Sequence, residues 1–420
     1  MKRPLNVFYK KQHVGVLLKK PDDTLGFSYS EKWISSSNSF PLSPALPLQR
    51  DEFNNRLTKA YFDNLLPEGD TLKLFAQVLK RSFEDPYQLL ESYGLDCAGA
   101  LEITPLEEAP DHILKGEMEE LSFEEIDQVI NNKESLYVHS LVNHKGRFSL
   151  AGAQDKIPVI FQNGKLFLPA DAKPTTHILK PPTRLSGVMN SVQNEYLCMR
   201  LAKLCGLNTA NIQLVGKEHL LFLVERYDRR VEKNGMVERL HQFDLCQAQG
   251  IPSAEKYEED GGPSFAENYK VVGEVSDNKI HDLEAILKWL VFNLLIGNND
   301  SHSKNMSFLC VDGSHQLAPM YDLLSTSIYK NMSSAFAFSI GGQRYAGKMK
   351  KKNFEMLAEA LGFNKKKDIV VTTMREMCNL VEDKVETLWA EISDDDRFRF
   401  IKNDLRNEIQ SRLNLFKTIM

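Results

Sequence analysis

Between Asn293 and Leu324 the chain reads NLLIGNNDSHSKNMSFLCVDGSHQLAPMYDLL, and this stretch decides the fold class. Apolar side chains recur at steps of three and four from Leu283 to Leu295, a spacing that predicts a buried helix. Gly297 is predicted to end that helix. The polar run Asn298–Asn305 follows at once, so it is a loop attached to a rigid scaffold. Such loops commonly carry catalytic groups.

Asp300 and Asn305 have the spacing of a kinase catalytic loop. In such a loop the Asp accepts the proton of the substrate hydroxyl and the Asn binds magnesium. The spacing alone is a weak signal, because Asp127 and Asn132 share it inside a predicted helix. His302 and Lys304 place positive charge or hydrogen-bond donors close to a transferring phosphoryl group, where negative charge accumulates.

The continuation of the chain strengthens this interpretation. Residues 306–311 and 316–319 alternate like two strands around Asp312-Gly313, so a hairpin returns Asp322 to the side of Asn305. A base and two oxygen ligands suit a hard cation such as magnesium, which takes few carboxylates together with phosphate oxygens. The alternative is an ordinary hairpin followed by Asp322 as a helix N-cap.

Two features earlier in the chain are candidates for binding a triphosphate. Lys180 ends a predicted strand and Glu195 lies on the following helix, the pattern of the ion pair that positions ATP phosphates in kinases. The run 149–156 holds small residues between strands, which lets backbone N–H groups approach phosphate oxygens, although a plain tight turn is an equal alternative. A zinc site at His281, His302 and His315 is disfavoured because no metal-binding spacing links them.

The chain is organised as a β-rich first part followed by a helical one. Short strands start the chain, helical periodicity spans about 51–83, and an acidic stretch from 102 to 120 marks a boundary. Ser122 with Glu125 has capping-box spacing. Strands, one hairpin at Asn163-Gly164 and one helix then continue to about residue 228, and helices dominate afterwards. We therefore expect an α+β, two-lobed protein-kinase-like fold with an additional N-terminal α/β subdomain, and domains at 1–120, 121–228 and 229–420.

Composition excludes several classes of protein. Of 420 residues, 42% are hydrophobic and 26% charged, which excludes a wholly disordered or fibrous chain. The net charge of −5 argues against a protein that grips nucleic acid over its whole surface. Six cysteines without a C-x-x-C pair suggest reduced core residues. No apolar stretch reaches the length of a bilayer span, so we expect a cytoplasmic protein.

The sequence also resembles the HipA-like serine/threonine kinases, the toxin halves of bacterial toxin and antitoxin pairs. The matching phrases occur in family order from about Phe62 to Ser325, and the last hundred residues match less clearly. They are FDNLLPEGD, LDCAGALEI, RFSLAGAQDK, THILKPP, NEYLCMRLAKLCGLN, LVERYDRR, QFDLCQAQGIPSAEKYEEDGGP, NLLIGNNDSHSKN and LAPMYDLLS.

The resemblance implies roles for individual residues in binding ATP and Mg2+. Asp300 is implied as catalytic base with Lys304 beside it, Asn305 and Asp322 as magnesium ligands, and Ser149 as a serine whose autophosphorylation switches the enzyme off. Phosphoserine would add roughly −1.5 to −2 charge beside a loop meant for a triphosphate. The implied nucleotide-binding residues are Ala151, Gly152, Ala153, Gln154, Asp155, Lys156, Lys180, Glu225, Arg226, Tyr227, His302, Ser303 and Tyr321.

The family also implies partners. Its protein substrates are aminoacyl-tRNA synthetases, whose modification halts translation and produces dormancy. A HipB-like helix-turn-helix antitoxin neutralises the kinase and brings it to operator DNA, which agrees with the acidic net charge. Two alternatives remain at this stage: a small-molecule kinase, and an inactive kinase fold that acts only as an antitoxin-bound co-repressor.

Overall fold

The computed structural model describes residues 3–78, 82, 85–107, 118–143, 150–152, 154–169, 173–233 and 235–420. The chain divides into two compact units. Unit 1 comprises Met1–Pro181, Val215–Ser253 and Leu309–Asp312, and unit 2 comprises Pro182–Leu214, Ala254–Phe308 and Gly313–Met420. This division does not test the three domains predicted from the sequence, which stay a prediction.

The described residues form strands in both parts of the chain. The strands are β1 (Leu5–Tyr9), β2 (Gln12–Lys19), β3 (Leu25–Tyr29), β4 (Leu101–Thr104), β5 (Met118–Leu121), β6 (Ile157–Gln162), β7 (Lys165–Pro169), β8 (His177–Lys180), β9 (Ile212–Val215), β10 (Leu221–Glu225), β11 (Arg229–Val231), β12 (Val237–Arg239), β13 (His241–Asp244), β14 (Ser307–Val311) and β15 (Ser314–Leu317).

Helices join the strands of unit 1 and make up most of unit 2. They are α1 (Glu31–Ile34), α2 (Asn55–Phe62), α3 (Gly69–Val78), α4 (Pro86–Tyr93), α5 (Phe123–Asn131), α6 (Leu136–Asn143), α7 (Ser191–Leu204), α8 (Leu245–Gln249), α9 (Phe265–Val275), α10 (Lys279–Ile296), α11 (Lys351–Ala360), α12 (Ile369–Glu391) and α13 (Lys402–Ile419). Among the helices that the structure describes, none combines the length and apolar content that crossing a bilayer requires.

Two larger antiparallel sheets lie in unit 1, beside the two-stranded sheet of β11 and β12. The first has the strand order β3-β2-β1-β4, and the second contains β5-β7-β6-β8-β10 as neighbours. Leu179 of β8 pairs with Ile157 of β6, and Lys180 pairs with Phe222 of β10. Because Leu179 and Phe222 are fully buried, the sheet fixes the adjacent Lys180 on a rigid strand.

Two hairpin turns have the conformation that their sequences predict. Asn163 and Gly164 have φ angles of 53° and 76°, and Asp312 and Gly313 have φ angles of 49° and 85°. Positive φ at both central residues is the mark of the type I′ turn, which matches the twist of the strands it joins. Both predicted hairpins are therefore confirmed.

Helix α10 is the central helix of unit 2. From Trp289 to Ile296 its side chains are buried all round, including Leu290, Val291 and Phe292, and the helix packs against α9, α12 and α13. A helix that is apolar on every side must lie inside a protein. The helix ends where predicted, with Gly297 in the left-handed region at φ 72°.

The helical periodicity predicted over about 51–83 is divided between two separate helices, α2 and α3. Helix α2 ends at Phe62, a short 3₁₀ turn follows, and Leu66 is extended, with φ −96° and ψ 158°. Pro67 causes the break, because proline excludes its preceding residue from the helical region. Ser122 does cap α5, accepting the Glu125 N–H at 3.2 Å, but the Glu125 carboxylate binds His139 rather than closing a capping box.

Candidate active site

The loop that follows α10 is held by two consecutive asparagines. Asn298 Nδ2 donates to Asn293 Oδ1 at 2.7 Å, and Asn298 Oδ1 accepts the Asp300 N–H at 3.2 Å. Asn299 Nδ2 donates to the Ser333 carbonyl at 2.9 Å. All three asparagines are buried, and buried amides with several hydrogen bonds fix a backbone firmly. Asp300 is thus presented from a rigid loop.

The carboxylate of Asp300 accepts a hydrogen bond from a tyrosine that we did not single out in the sequence. Tyr257 Oη donates to Asp300 Oδ1 at 2.5 Å. The Tyr257 ring also meets His302 edge to face, with centroids 5.0 Å apart and planes at 81°. Tyr257 lies within the phrase KYEEDGGP that contributes to the family resemblance, but no local spacing connects it with Asp300.

Asn305 and Asp322 lie together although 17 residues separate them in sequence. Asn305 Nδ2 donates to Asp322 Oδ2 at 2.8 Å, and Asn305 Oδ1 accepts the His302 N–H at 3.0 Å. The β14–β15 hairpin returns the chain to this point, as expected. Asp322 has φ 59°, and residues 323 and 324 are not helical, so the alternative of a helix N-cap does not hold.

An amide and a carboxylate side by side fit a magnesium ion that is also bound by phosphate oxygens. Magnesium keeps waters and phosphate oxygens as ligands and needs only one or two protein carboxylates. Within the described ranges, no group of three or more His, Cys, Asp or Glu side chains is arranged to hold a metal ion. One carboxylate and one amide oxygen, as in Asp322 and Asn305, are a donor set that fits a cation whose other ligands are waters and phosphate oxygens.

The other predicted residues of this loop are buried and brace it. Ser303 Oγ accepts a hydrogen bond from Asn268 Nδ2 at 2.8 Å, and Tyr321 Oη donates to the Lys304 carbonyl at 2.8 Å. His302, Ser303 and Lys304 are each less than a tenth exposed. These contacts give Ser303 and Tyr321 a supporting role, and their predicted nucleotide contacts stay a prediction.

Unit 1 holds the predicted phosphate loop at both ends. The Gly152 carbonyl accepts the Glu68 N–H at 3.0 Å, and Gly152 has φ 111°, which strongly favours glycine. Asp155 accepts three hydrogen bonds at the start of α6, from Ser135 Oγ at 3.0 Å and from the Leu136 and Tyr137 N–H groups at 3.1 Å. Lys156 and Gln154 are half-buried, whereas Ser149 and Ala153 lie outside the described residues, as does most of the strand predicted over 148–150.

The lysine and glutamate predicted to form an ion pair are both buried within their own units. Lys180 is 6% exposed at the end of β8 in unit 1, where its ammonium lies 5.8 Å from the Phe222 ring centroid. Glu195 is 2% exposed on α7 in unit 2. Buried lysine and glutamate are rare in protein interiors, so each has a structural or functional reason to be there.

Residues 225–227, which the family resemblance implies as a hinge segment that meets adenine through backbone atoms, lie next to a buried ionic network in unit 1. Arg226 Nη2 donates to Asp228 Oδ2 at 2.8 Å and the Arg226 N–H donates to the Thr176 carbonyl at 2.9 Å. Tyr227 Oη donates to Gln242 Oε1, and Glu225 ends β10 with an exposed side chain. The side chain of Arg226 is therefore committed to the protein itself, and any adenine contact of this segment stays a prediction.

Comparison with known proteins identifies the family. The model of the HipA-like C-terminal domain matches residues 148–386, and that of the HipA N-terminal domain matches residues 5–104. The chain belongs to the HipA family. It is 35% identical to Y4mE of Sinorhizobium fredii over 397 residues, covering 93% of this chain and 92% of that protein.

Two further HipA comparisons concern Shewanella oneidensis. The serine/threonine-protein kinase toxin HipA of that organism is 34% identical over 334 residues, 76% of this chain and 74% of the relative. The solved complex of its HipA, HipB and operator DNA contains a chain that matches with a TM-score of 0.84 and 25% identity over 99% of both chains. The α+β HipA kinase fold expected from the sequence is thus confirmed.

Proposed function

We propose that this HipA-family protein is a serine/threonine protein kinase that transfers the γ-phosphoryl group of ATP to a hydroxyl of a protein. The observation that carries the proposal is the geometry of one loop in unit 2. Asp300 is held by Asn298 on the loop after α10, and Asn305 of the same loop contacts Asp322 at 2.8 Å, so the proposed base and one proposed ligand share a rigid loop and the second proposed ligand touches it. Few functions other than phosphoryl transfer need this combination.

In the proposed reaction Asp300 accepts the proton of the substrate hydroxyl. The hydroxyl oxygen forms a bond to the γ-phosphorus, the bond between the γ-phosphorus and the bridging oxygen breaks, and ADP leaves. Asn305 and Asp322 would hold Mg2+, which would neutralise charge on the phosphate oxygens. Lys304 and His302 would supply positive charge or donors for the transferring phosphoryl group. For unit 1 we propose separately that the loop Ala151–Lys156 and Lys180 contact phosphate oxygens.

The proposal extends to regulation and partners. The kinase toxin HipA of S. oneidensis and its solved complex with HipB and operator DNA support a HipB-like antitoxin for this chain, with DNA reached through that partner. We propose an aminoacyl-tRNA synthetase in the cytoplasm as substrate, with translation arrest and dormancy as the outcome. Autophosphorylation of Ser149 would repel a triphosphate from the adjacent loop and switch the kinase off.

Replacing the base tests the reaction. Asp300→Asn keeps the size and hydrogen-bonding capacity of the side chain but removes its basicity, so we expect ATP binding to be retained. Phosphate transfer should fall by at least about 100-fold, the usual weight of a general base. Equilibrium binding of ATP and transfer of labelled phosphate are measured on the same preparations. Full activity of the variant would reject Asp300 as the base.

The substrate class is tested with labelled ATP and a cell lysate. A protein kinase labels one or more protein bands, a small-molecule kinase labels only low-molecular-mass products, and an inactive fold labels neither. Phosphopeptide mass spectrometry after incubation with purified synthetases then identifies the modified residue. The Asp300→Asn variant is the control, because any label that it still transfers comes from a contaminating kinase.

A further inference from the structure

Tyr257 is placed over the catalytic loop by a segment that is itself tied down. The Tyr257 carbonyl accepts N–H groups from Asp260 at 3.1 Å and Gly262 at 2.9 Å, which closes the segment on itself. A Cβ atom on Gly262 would lie 1.9 Å from the Glu255 carbonyl oxygen, so only glycine fits there. The position of Tyr257 is therefore set by the backbone rather than by its own side chain.

Residues 339 and 344 anchor the same segment from outside. Glu258 Oε2 accepts the Ser339 N–H at 2.7 Å, and Arg344 forms an ion pair with Glu259. Arg344 Nε in turn donates to the Phe336 carbonyl at 2.8 Å. A side chain carried by so constrained a segment loses little conformational entropy when it makes a further contact.

The hydroxyl of Tyr257, held in place by this segment, orients the Asp300 carboxylate. A terminal carboxylate rotates freely about its last side-chain bond unless hydrogen bonds stop it. The bond from Tyr257 Oη to Asp300 Oδ1 is 2.5 Å long, within the range of a strong, charge-assisted O–H···O⁻ hydrogen bond. It fixes the plane of the Asp300 carboxylate, while Asn298 fixes the Asp300 backbone.

We propose that Tyr257 is a positioning residue for phosphoryl transfer, whose hydroxyl orients the Asp300 carboxylate so that it accepts the proton of the substrate hydroxyl. This inference rests on the proposed function. Tyr257 acts through Asp300 and needs no contact with ATP or substrate. Its contribution is geometric, since a small misplacement of a catalytic group lowers the rate of the chemical step far more than it weakens binding.

The Tyr257→Phe variant isolates the hydroxyl. Phenylalanine keeps the edge-to-face packing on His302 and removes only the donor to Asp300. A hydrogen bond to a charged group contributes about 1.5–3 kcal/mol, so kcat should fall about 10- to 100-fold. The KM for ATP should stay unchanged, while the thermal midpoint falls by a few degrees, because the same hydrogen bond also stabilises the folded protein. Tyr269→Phe is the matched control, because the Tyr269 ring packs on Phe265 and Phe363 in the same unit and kcat should not respond.

The outcomes separate this inference from the proposed function. If Asp300→Asn abolishes transfer while Tyr257→Phe retains the kcat of the wild type, the positioning role is rejected and the base is kept. A higher kcat in Tyr257→Phe also rejects it, since the tyrosine would then be an inhibitor of Asp300. If Asp300→Asn is fully active, the proposed function itself fails. A fall in kcat with unchanged KM, absent from Tyr269→Phe, supports the proposal.

Discussion

Asp322 has a backbone conformation that few residues other than glycine adopt. Its φ is 59°, in the left-handed region, where a Cβ atom meets the following carbonyl oxygen. The chain nevertheless continues through it, and the next turn is held by Asn194, which exchanges hydrogen bonds of 2.8 and 2.9 Å with Ser325. Strained residues of this kind cluster at functional sites, because the surroundings hold them where chemistry needs them.

The Asp322→Asn substitution tests the metal-ligand role of the side chain separately from the backbone conformation of this residue. Asparagine tolerates the left-handed region, so the free energy of unfolding should change by less than about 1 kcal/mol. The substitution also removes the negative charge of the proposed ligand. Mutating a residue that only hydrogen-bonds to a metal ligand lowers metal affinity by about 10- to 100-fold, so we expect Asp322→Asn to lower Mg2+ affinity by at least that factor. Kinase activity measured against Mg2+ concentration, together with urea denaturation, checks both expectations.

A matched control makes the same chemical change elsewhere. Asp312 is also left-handed, with φ 49°, but lies in the exposed turn of the β14–β15 hairpin. Asp312→Asn should leave the Mg2+ dependence of the activity as it is. An unaltered Mg2+ dependence in Asp322→Asn as well would remove Asp322 from the ligand set.

At the residue scale the sequence predicts what depends on local spacing. Asp300, Asn305 and Asp322 were predicted to lie together because a loop and one hairpin connect them, and the structure places Asn305 against Asp322. Tyr257 was not found, because 43 residues separate it from Asp300 and a tyrosine before acidic residues has no distinctive pattern. The family phrases contain Tyr257 without revealing what its hydroxyl does.

At the scale of elements, helix α6 and the predicted phosphate loop are joined by hydrogen bonds of Asp155. Asp155 follows α6 in the sequence, but its carboxylate lies at the start of that helix. It accepts hydrogen bonds from the N–H groups of Leu136 and Tyr137 and so caps the N-terminus of α6. A carboxylate there also interacts favourably with the helix dipole. The last part of the loop is therefore fixed to the start of α6, and the prediction is that Asp155 supports nucleotide binding through the loop rather than through its own charge.

Substitutions of Asp155 distinguish a cap from a direct ligand. Asp155→Asn keeps an acceptor for the helix and should be nearly as stable and active as the wild type. Asp155→Ala loses the cap, which costs about 0.5–2 kcal/mol, and should raise the KM for ATP by up to about 30-fold. Thermal denaturation and steady-state kinetics measure the two quantities on each variant.

The control removes another cap from the same unit. Ser122→Ala deprives α5 of its N-cap and should lower stability by a similar amount without changing the KM for ATP. Equal kinetic defects in Asp155→Asn and Asp155→Ala would instead mean that the charge of Asp155 acts on the nucleotide directly.

Elements were predicted well wherever one local interaction decides them. The hairpins at Asn163-Gly164 and Asp312-Gly313 and the end of α10 at Gly297 depend on residues that accept positive φ, and all three are confirmed. The helical periodicity over 51–83 predicted helices there, and α2 and α3 are present, but periodicity alone did not locate the break that Pro67 imposes between them.

At the scale of the whole molecule, a buried ionic network in unit 1 joins the regions that match the two family models. Asp96 belongs to the N-terminal match, and Arg226, Asp228 and Arg229 belong to the C-terminal one. The side chains of Asp96, Arg226 and Arg229 are each 1% exposed. The contacts are Arg229 Nη2 to Asp96 Oδ1 at 2.8 Å, Arg229 Nη1 to Asp228 Oδ2 at 3.0 Å and Arg226 Nη2 to Asp228 Oδ2 at 2.8 Å.

Burial and neighbouring charges set the protonation of this network. Burial alone would raise the pKa of Asp96, but the surrounding guanidinium groups, Arg229 foremost, lower it well below its ordinary value. Burial and the adjacent Arg226 lower the pKa of Arg229 to about 10, so it stays protonated at neutral pH. No local pattern could have predicted this, because about 130 residues separate Asp96 from its partners and the charges look like ordinary surface groups in sequence.

Because of this network, removing the charge of Asp96 should lower the free energy of unfolding. Asp96→Asn leaves Arg229 and Arg226 without one balancing charge, and breaking a buried pair in this way costs about 3–5 kcal/mol. Urea denaturation at pH 7 should show that loss in the transition of unit 1. Asp51→Asn, at an exposed carboxylate of the same unit, should show none.

The pH dependence of the difference in unfolding free energy between the wild type and Asp96→Asn tests whether the charge of Asp96 stabilises the fold. Because the pKa of Asp96 is lowered in the folded state, its contribution is complete above the unfolded value of about 3.9 and is lost as the pH falls toward the folded pKa. The gap in unfolding free energy between wild type and Asp96→Asn should therefore be constant above about pH 5 and narrow below about pH 4. A gap that stays constant down to acid unfolding would show that Asp96 contributes through packing and hydrogen bonds, and that its charge is not what joins the two regions.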